Sequence, residues 1–417
     1  MMITALYFVV DGIFVGQGIG PLALAAVNLS LPVIVLIIST TMMLTMGGAT
    51  LASISLGQKD PASANRYFGA TLQVVLAFSV LAAALCAVFP EQIARLSGAS
   101  EMMVPDTAVY IRWYCIFVTF YCLAMCLSAF VRNDGDPQLS LWAMTTGALT
   151  NIFLDWLFIF PLQMGLFGAA VASGIGQALS CLLLLIHFFR KKGQLRLHLP
   201  LRDKAAWKLT PEIARRGLPE FCTEMSQTVT TLLYNILSQQ YLQEMGVAAF
   251  AVMCYISEIF IAVFLGVSQG VQPLISYSFG AGDRRRQLFF FRWGLVCNVA
   301  LSALAYLIIL VAGPALISVF NGDPQLIALA YDCAKVFSVS FIFAAVNIVF
   351  TTYFLSTKRT GAALAVAAGR SFLLNSVCIF LLPLLFGAGA LYTGIIAAEL
   401  LVSLCCLIYA AARKDWR

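Results

Sequence analysis

Apolar runs long enough to cross a lipid bilayer recur from one end of this chain to the other. A spanning helix needs about 20 mostly apolar residues, because away from water each backbone polar group must be satisfied within its own segment. Reading for such runs predicts twelve helices, over 2–16, 24–56, 66–89, 107–131, 138–161, 166–189, 217–241, 247–280, 288–312, 331–355, 362–386 and 389–412. The first is short. The second and eighth are long enough to tilt or to extend past the hydrocarbon. Apolar residues make up 61% of the 417 and charged residues 11%, against about 45–50% and about 25% in soluble domains. So few charges cannot clothe a water-facing surface, and the expected class is all-α and integral to the membrane.

The basic residues then set the orientation, because Lys and Arg gather on the cytoplasmic side. With the C-terminus in the cytoplasm, 21 of the 25 fall on that side. They are Lys59, Arg66, Arg132, nine from Arg190 to Arg216, Arg284, Arg285, Arg286, Arg292, Lys358, Arg359, Arg413, Lys414 and Arg417. Only Arg95, Arg112 and Lys335 fall outside, and Arg370 lies within a span. This sidedness accounts for the net charge of +6, so no nucleic-acid partner is expected. The N-terminus lacks the basic start of a cleavable signal peptide. The expectation is a multi-pass protein of the cell inner (plasma) membrane, monomeric and in contact with membrane lipid.

The basic stretch 190–216 divides the spans into two sets of six. The expected organisation is an N-lobe over 1–190, a cytoplasmic linker over 191–216 and a C-lobe over 217–417. Thr210 followed by Pro211 is a good helix start, predicting a short interfacial helix that leads into the seventh span. The halves repeat. At an offset of 223, Gly47, Leu51, Ser53, Ser55, Gly57 and Asp60 match Gly270, Leu274, Ser276, Ser278, Gly280 and Asp283. At 224, Gly98, Phe130, Asn151 and Gly165 match Gly322, Phe354, Asn375 and Gly389. Six spans is an even number, so the lobes share one orientation, as parallel pseudo-symmetric repeats. Aligning Tyr7 with Tyr234 puts the expected start of the first helix roughly ten residues before Met1, so that helix reads as truncated.

Charges at membrane depth are costly and mark pathways or relays. The candidates are Asp11, Asp155, Glu224, Glu258, Arg370 and Glu399. Asn151 and Asp155 stand four apart and share a helix face. In the second half Asn375 keeps the Asn, Ile379 replaces the Asp, and Asp11 maps near Ser238. A polar pair that only docks helices has no reason to be so one-sided; a cation or proton site has. Two carboxylates facing one apolar cavity cannot both ionise cheaply, so a proton is one candidate for the bound ion. The other is Na+, held by oxygens of Asp11, Asn151 and Asp155, with Ser173 adding a hydroxyl. Glu224 and Glu258 could face a second-half cavity and pair with cationic substrates, and Arg370 and Glu399 could pair with each other. Pro32, Pro219 and Pro273 lie within spans, where proline kinks a helix.

The 12 cysteines are scattered through apolar runs, with no Cys-x-x-Cys pair; the nearest are Cys122 with Cys126 and Cys405 beside Cys406. They read as small buried apolar residues. His187 and His198 have no ligand cluster near them in sequence, so no metal beyond Na+ is expected. No nucleotide, nucleophile-elbow or metal motif appears, which argues against an enzyme and against ATP as the driving force.

Four segments carry a resemblance. Tyr7 to Gly16, YFVVDGIFVG, resembles the first-helix motif Tyr-Asn-x-x-Asp-x-x-x-x-Gly of the multidrug and toxic compound extrusion (MATE) family, bacterial type, within the MOP flippase superfamily. Asn151 to Phe160, NIFLDWLFIF, and Gly165 to Ser173, GLFGAAVAS, resemble its fifth and sixth helices. Gln272 to Asp283, QPLISYSFGAGD, resembles the exit of its eighth. The resemblance covers both halves in order. It implies twelve transmembrane helices in two six-helix lobes, with cytoplasmic termini. It also implies efflux of small organic, cationic amphipathic compounds by antiport with H+ or Na+ through alternating access, with no cofactor. Carried onto matching positions, it makes Asp11, Asn151 and Asp155 the N-lobe cation site. Ser173 stands where many members have Thr, and Phe8 where the commonest motif has Asn. Glu224 resembles an acidic position of some bacterial branches. The rival readings are a lipid-linked sugar flippase, which would want a long basic groove, an intramembrane enzyme, which would want a nucleophile or metal cluster, and a channel, which has no need of coupled lobes.

Overall fold

The computed structural model describes residues 2–190, 193–197, 204–319 and 323–412. His198, Gly322, Arg413, Lys414, Arg417 and parts of the 191–216 linker lie outside the described residues. Every long element is a helix, and no strand occurs among the described residues. The chain forms two compact units, Ile3–Phe221 and Cys222–Arg417, the second grouped with Met1–Met2.

In the first unit the helices are α1 (Met2–Gly18), α2 (Pro21–Gly57), α3 (Pro61–Val88), α4 (Pro90–Leu96), α5 (Val104–Asn133), α6 (Pro137–Ile159), α7 (Gly165–Phe189), α8 (Lys204–Trp207) and the beginning of α9 (Thr210–Gly280). The second unit holds the rest of α9, then α10 (Arg284–Ser318), α11 (Pro324–Phe337), α12 (Ser340–Ser356), α13 (Thr360–Ala368), a π turn (Gly369–Leu373), α14 (Leu374–Phe386) and α15 (Thr393–Ala412). Among the described residues seven helices are long and apolar enough to span alone, and α11 with α12 makes an eighth if taken as one bent span. The other expected spans are α1, with 17 residues, the polar-lined α6, the first part of α9, and the interrupted α13–α14.

Punctuation follows local chemistry. Proline opens α2, α3, α4, α6 and α11, where a missing N–H costs nothing. Asp60, Asp136, Asp283 and Asp323 cap α3, α6, α10 and α11 by accepting from the backbone N–H of Ser63, Leu139, Arg286 and Gln325. The repeat extends to the turns. Lys59 and Gly282, 223 apart, both take left-handed φ (60° and 71°), as do Gly135 and Lys358 (94° and 60°). The same corner is built twice, once with glycine and once at the cost of strain on a lysine.

Three features depart from expectation. The helix starting at Thr210 runs straight into the seventh span, so no separate interfacial helix follows the linker; a single turn, Lys204–Trp207, precedes it. Helicity breaks inside α9 only at Gln243 (φ 58°, ψ −156°), which separates the seventh and eighth spans. Proline is also not the whole account of bending. Pro32, Pro219 and Pro273 lie within helices, joined by Pro314 and Pro383, yet the measured bend of 45° falls between α11 and α12, at Ser338 and Val339. There the Ser338 hydroxyl donates back to the Ala334 carbonyl (2.6 Å), a bond that competes with the helical ladder.

His187 has neighbours that the linear sequence hides. Its Nε2 lies 2.9 Å from Asp134 Oδ2 and its Nδ1 3.5 Å from Asp136 Oδ2. Asp134 also accepts from the Gln194 (2.7 Å) and Leu195 (3.2 Å) backbone N–H groups, while Asn65 bonds the Gln194 carbonyl and the Arg196 N–H. These bonds fasten Gln194, Leu195 and Arg196 of the linker to the start of α3 and to the corner between α5, α6 and α7. A side chain at Gly193 would collide with the Asp134 carboxylate.

Candidate functional site

Along α6 one stripe is buried at four-residue intervals: Gly147, Asn151, Asp155 and Ile159. It meets α7 through Ser173, Gly176 and Ser180. Two glycines make this approach possible. A Cβ at Gly176 would sit 2.6 Å from the Gly147 carbonyl and 2.9 Å from Asn151 Cβ, and a Cβ at Gly147 would collide with Ser180 Oγ. The close approach brings the polar groups together. Asn151 Nδ2 donates to Asp155 Oδ2 (2.8 Å) and to Ser173 Oγ (3.2 Å).

Asp11 enters from α1. Its helix docks on the far end of α6, where Phe14 packs edge-on against Phe160 at 5.7 Å, and a side chain at Gly18 would strike Ile159. Asp11, Val15 and Gly18 share a face, so this contact turns the Asp11 carboxyl toward Asp155, its neighbour in the site. The cluster is buried: Asp11 is 5% exposed, Asn151 1%, Asp155 0% and Ser173 4%. Asp11 Oδ1, Asn151 Oδ1 and Asp155 Oδ1 are buried acceptors that meet no donor among the described residues. Three such oxygens on adjacent side chains are costly unless a proton or cation meets them. Tyr110 on α5, buried and stacked on Tyr114, stands close enough to both acids to feel their charge. Tyr110, Gly147 and Gly176 are site residues that the sequence reading missed.

The two positions that match Asp11 and Asp155 in the second unit carry no acid. Asn375 donates to Thr230 Oγ1 (2.7 Å), Ile379 is fully buried in the apolar core, and Ser238 pairs with the Tyr392 hydroxyl (3.3 Å). Tyr392 in turn stacks on Tyr234 at 5.6 Å.

The second unit's charges line a cavity of about 120 Å3 that reaches Asn375 and Thr230 themselves, with Glu224, Glu258, Arg370 and Glu399 in its wall. Arg370 stands on the π turn, a helix irregularity that often marks functional sites. Its Nη2 and Nε reach Glu399 Oε1 at 2.8 and 3.1 Å. Glu399 Oε2 accepts from Asn347 Nδ2 (2.7 Å), and Asn347 Oδ1 accepts from Ser403 (3.0 Å). This pair is nearly buried and compensated. Glu224 and Glu258 line the same cavity. No group of three or more His, Cys, Asp or Glu that could hold a metal occurs among the described residues.

Repeated apolar helical units with acids sunk in their helices define a polytopic membrane transporter. The MatE family profile matches residues 1–157 and 219–381, and the chain belongs to this family of transporters. It is 27% identical over 403 residues to the multidrug export protein MepA of Staphylococcus haemolyticus (strain JCSC1435), covering 96% of this chain and 88% of that protein. It is 24% identical over 423 residues to MepA of Staphylococcus aureus (strain NCTC 8325 / PS 47), covering 100% and 92%. Among solved structures it is similar to a MATE in complex with MaL6, with a TM-score of 0.92 at 19% identity, covering 99% of this chain and 93% of that one. A multidrug resistance MATE family transporter of the MOP superfamily in an outward-facing conformation gives 0.89 at 20%, with the same coverage. The fold is therefore that of the twelve-helix, two-lobed MATE transporters.

Proposed function

We propose that this chain exports small organic, cationic amphipathic compounds in exchange for H+ or Na+, by alternating access of an N-lobe (1–190) and a C-lobe (217–417) joined by the 191–216 linker. The MepA relatives are multidrug export proteins. The observation that carries the coupling is the one-sided acid site. Asp11 and Asp155 bear donorless buried oxygens in the first unit, and the second has Ser238 and Ile379 in their places. An incoming ion neutralises Asp11 and Asp155, with Asn151 and Ser173 completing its oxygen shell. In the C-lobe, Glu224 and Glu258 attract the cationic end of the substrate, while the Arg370–Glu399 pair shapes the cavity wall. The ion works only through different affinities for the two states of the cycle; without that difference it shifts nothing. The termini lie in the cytoplasm and the chain works as a monomer in the inner membrane.

The test is efflux of a fluorescent organic cation from proteoliposomes, with sodium and pH gradients imposed separately. One of the two gradients drives efflux in the wild type. If neither does, the antiport reading is wrong.

A further inference from the structure

We propose that Arg284, Arg285 and Arg292, with Phe289 and Trp293 beside them, bind the headgroup of an anionic phospholipid at the start of α10. These residues and Leu288 line a surface cavity of about 610 Å3. All lie within the first three turns of the helix, and the spacing of Arg285, Phe289, Arg292 and Trp293 gathers them on one side. The arginines are exposed. Asp283, the acid at this corner, is engaged in capping the Arg286 N–H at 2.9 Å.

The repeat shows that the turn itself does not require these arginines. The matching helix, α3, makes the same cap from Asp60 to the Ser63 N–H on the sequence Pro61, Ala62, Ser63. At an offset of 223, Arg292 and Trp293 correspond to Gly69 and Ala70, both buried against neighbouring helices. The face that one unit packs away is, in the other, exposed, basic and aromatic. Its ligand is amphipathic, because the apolar surface continues. Phe289 and Trp293 are each 55% exposed, and Val296, Leu304, Leu307 and Val311 carry the same exposed face onward along α10. Trp at the level of lipid headgroups, with arginines on the cytoplasmic side of it, is the arrangement that holds an anionic lipid by its phosphate and lays its acyl chains along the helix. The inference rests on the membrane assignment and not on the efflux reading, so either can fail alone.

The experiment is native mass spectrometry of the purified full chain in detergent. It is titrated with phosphatidylglycerol or phosphatidylcholine of matched acyl chains, with and without glycerol phosphate as competitor. Phosphatidylglycerol is expected to bind about tenfold more tightly than phosphatidylcholine. The double variant Arg285→Gln/Arg292→Gln should lose that preference and keep its phosphatidylcholine binding, which also certifies its fold. Lys358→Gln/Arg359→Gln, with the same change in net charge, should keep the preference. Equal binding of the two lipids by the wild type overturns the proposal. So does an unchanged preference in the arginine variant, or an equal loss in the control. Displacement by millimolar glycerol phosphate assigns the cavity to a soluble phosphate and overturns the lipid reading as well.

Discussion

A carboxyl group at membrane depth is the one side chain that an apolar sequence cannot hide, so Asp11, Asp155, Glu224, Glu258 and Glu399 were all legible before any coordinates. Their relations were only partly so. The i, i+4 pairing of Asn151 with Asp155 is a helix rule, and the structure puts it at 2.8 Å. Tyr110 gave no signal, because tyrosines are ordinary in spans and its closeness to the acids depends on where α5 packs. Asn151 is the donor that holds Asp155 and Ser173 in one cluster. Asn151→Leu should therefore remove gradient-driven efflux while membrane content, read by immunoblot, stays normal. Arg370→Gln acts differently. It leaves Glu399 nearly buried without its cation, a change that costs about 3–5 kcal/mol when one partner of a buried pair is removed. A lowered melting temperature in detergent checks it, and Arg370→Met/Glu399→Leu should recover most of the loss.

At the scale of elements, helix number and order were readable from apolar length and from capping residues, because both are local. Irregularities were not. The π turn at Gly369–Leu373 and the 45° bend at Ser338–Val339 occur where no proline stands. They depend on which backbone carbonyls find other donors. The α6–α7 contact was equally silent, since its glycines look like any others in a span. Gly176→Ala should press on Asn151 Cβ and the Gly147 carbonyl. Overpacking of this kind costs about 1–3 kcal/mol, and here it is expected to weaken ion dependence before it unfolds the unit. A raised ion concentration for half-maximal efflux, with a melting temperature only slightly lower, is the expected result. Gly193→Ala should expel the linker from Asp134 without touching the acid site. Limited proteolysis of the 191–216 segment should then speed up while efflux driven by a gradient persists.

The whole molecule is one plan used twice and then made unequal. The left-handed corners at Lys59 and Gly282, and the caps at Asp60 and Asp283, repeat the framework. What breaks the repeat is chemistry: Asp155 against Ile379, Asp11 against Ser238, and three arginines against Pro61, Ala62 and Ser63. The offset of 223–224 made these differences visible in the sequence. The donorless state of Asp11 Oδ1, Asn151 Oδ1 and Asp155 Oδ1 was not, because it depends on how α1 and α6 meet. The most direct test compares wild type and Asp155→Asn, reconstituted at equal protein content, for efflux under the gradient that drives the wild type. The amide keeps the shape but can neither release a proton nor neutralise a sodium ion, so gradient-driven efflux should vanish while reconstitution proceeds normally. Efflux by Asp155→Asn at the wild-type rate and with the wild-type ion dependence would contradict the account.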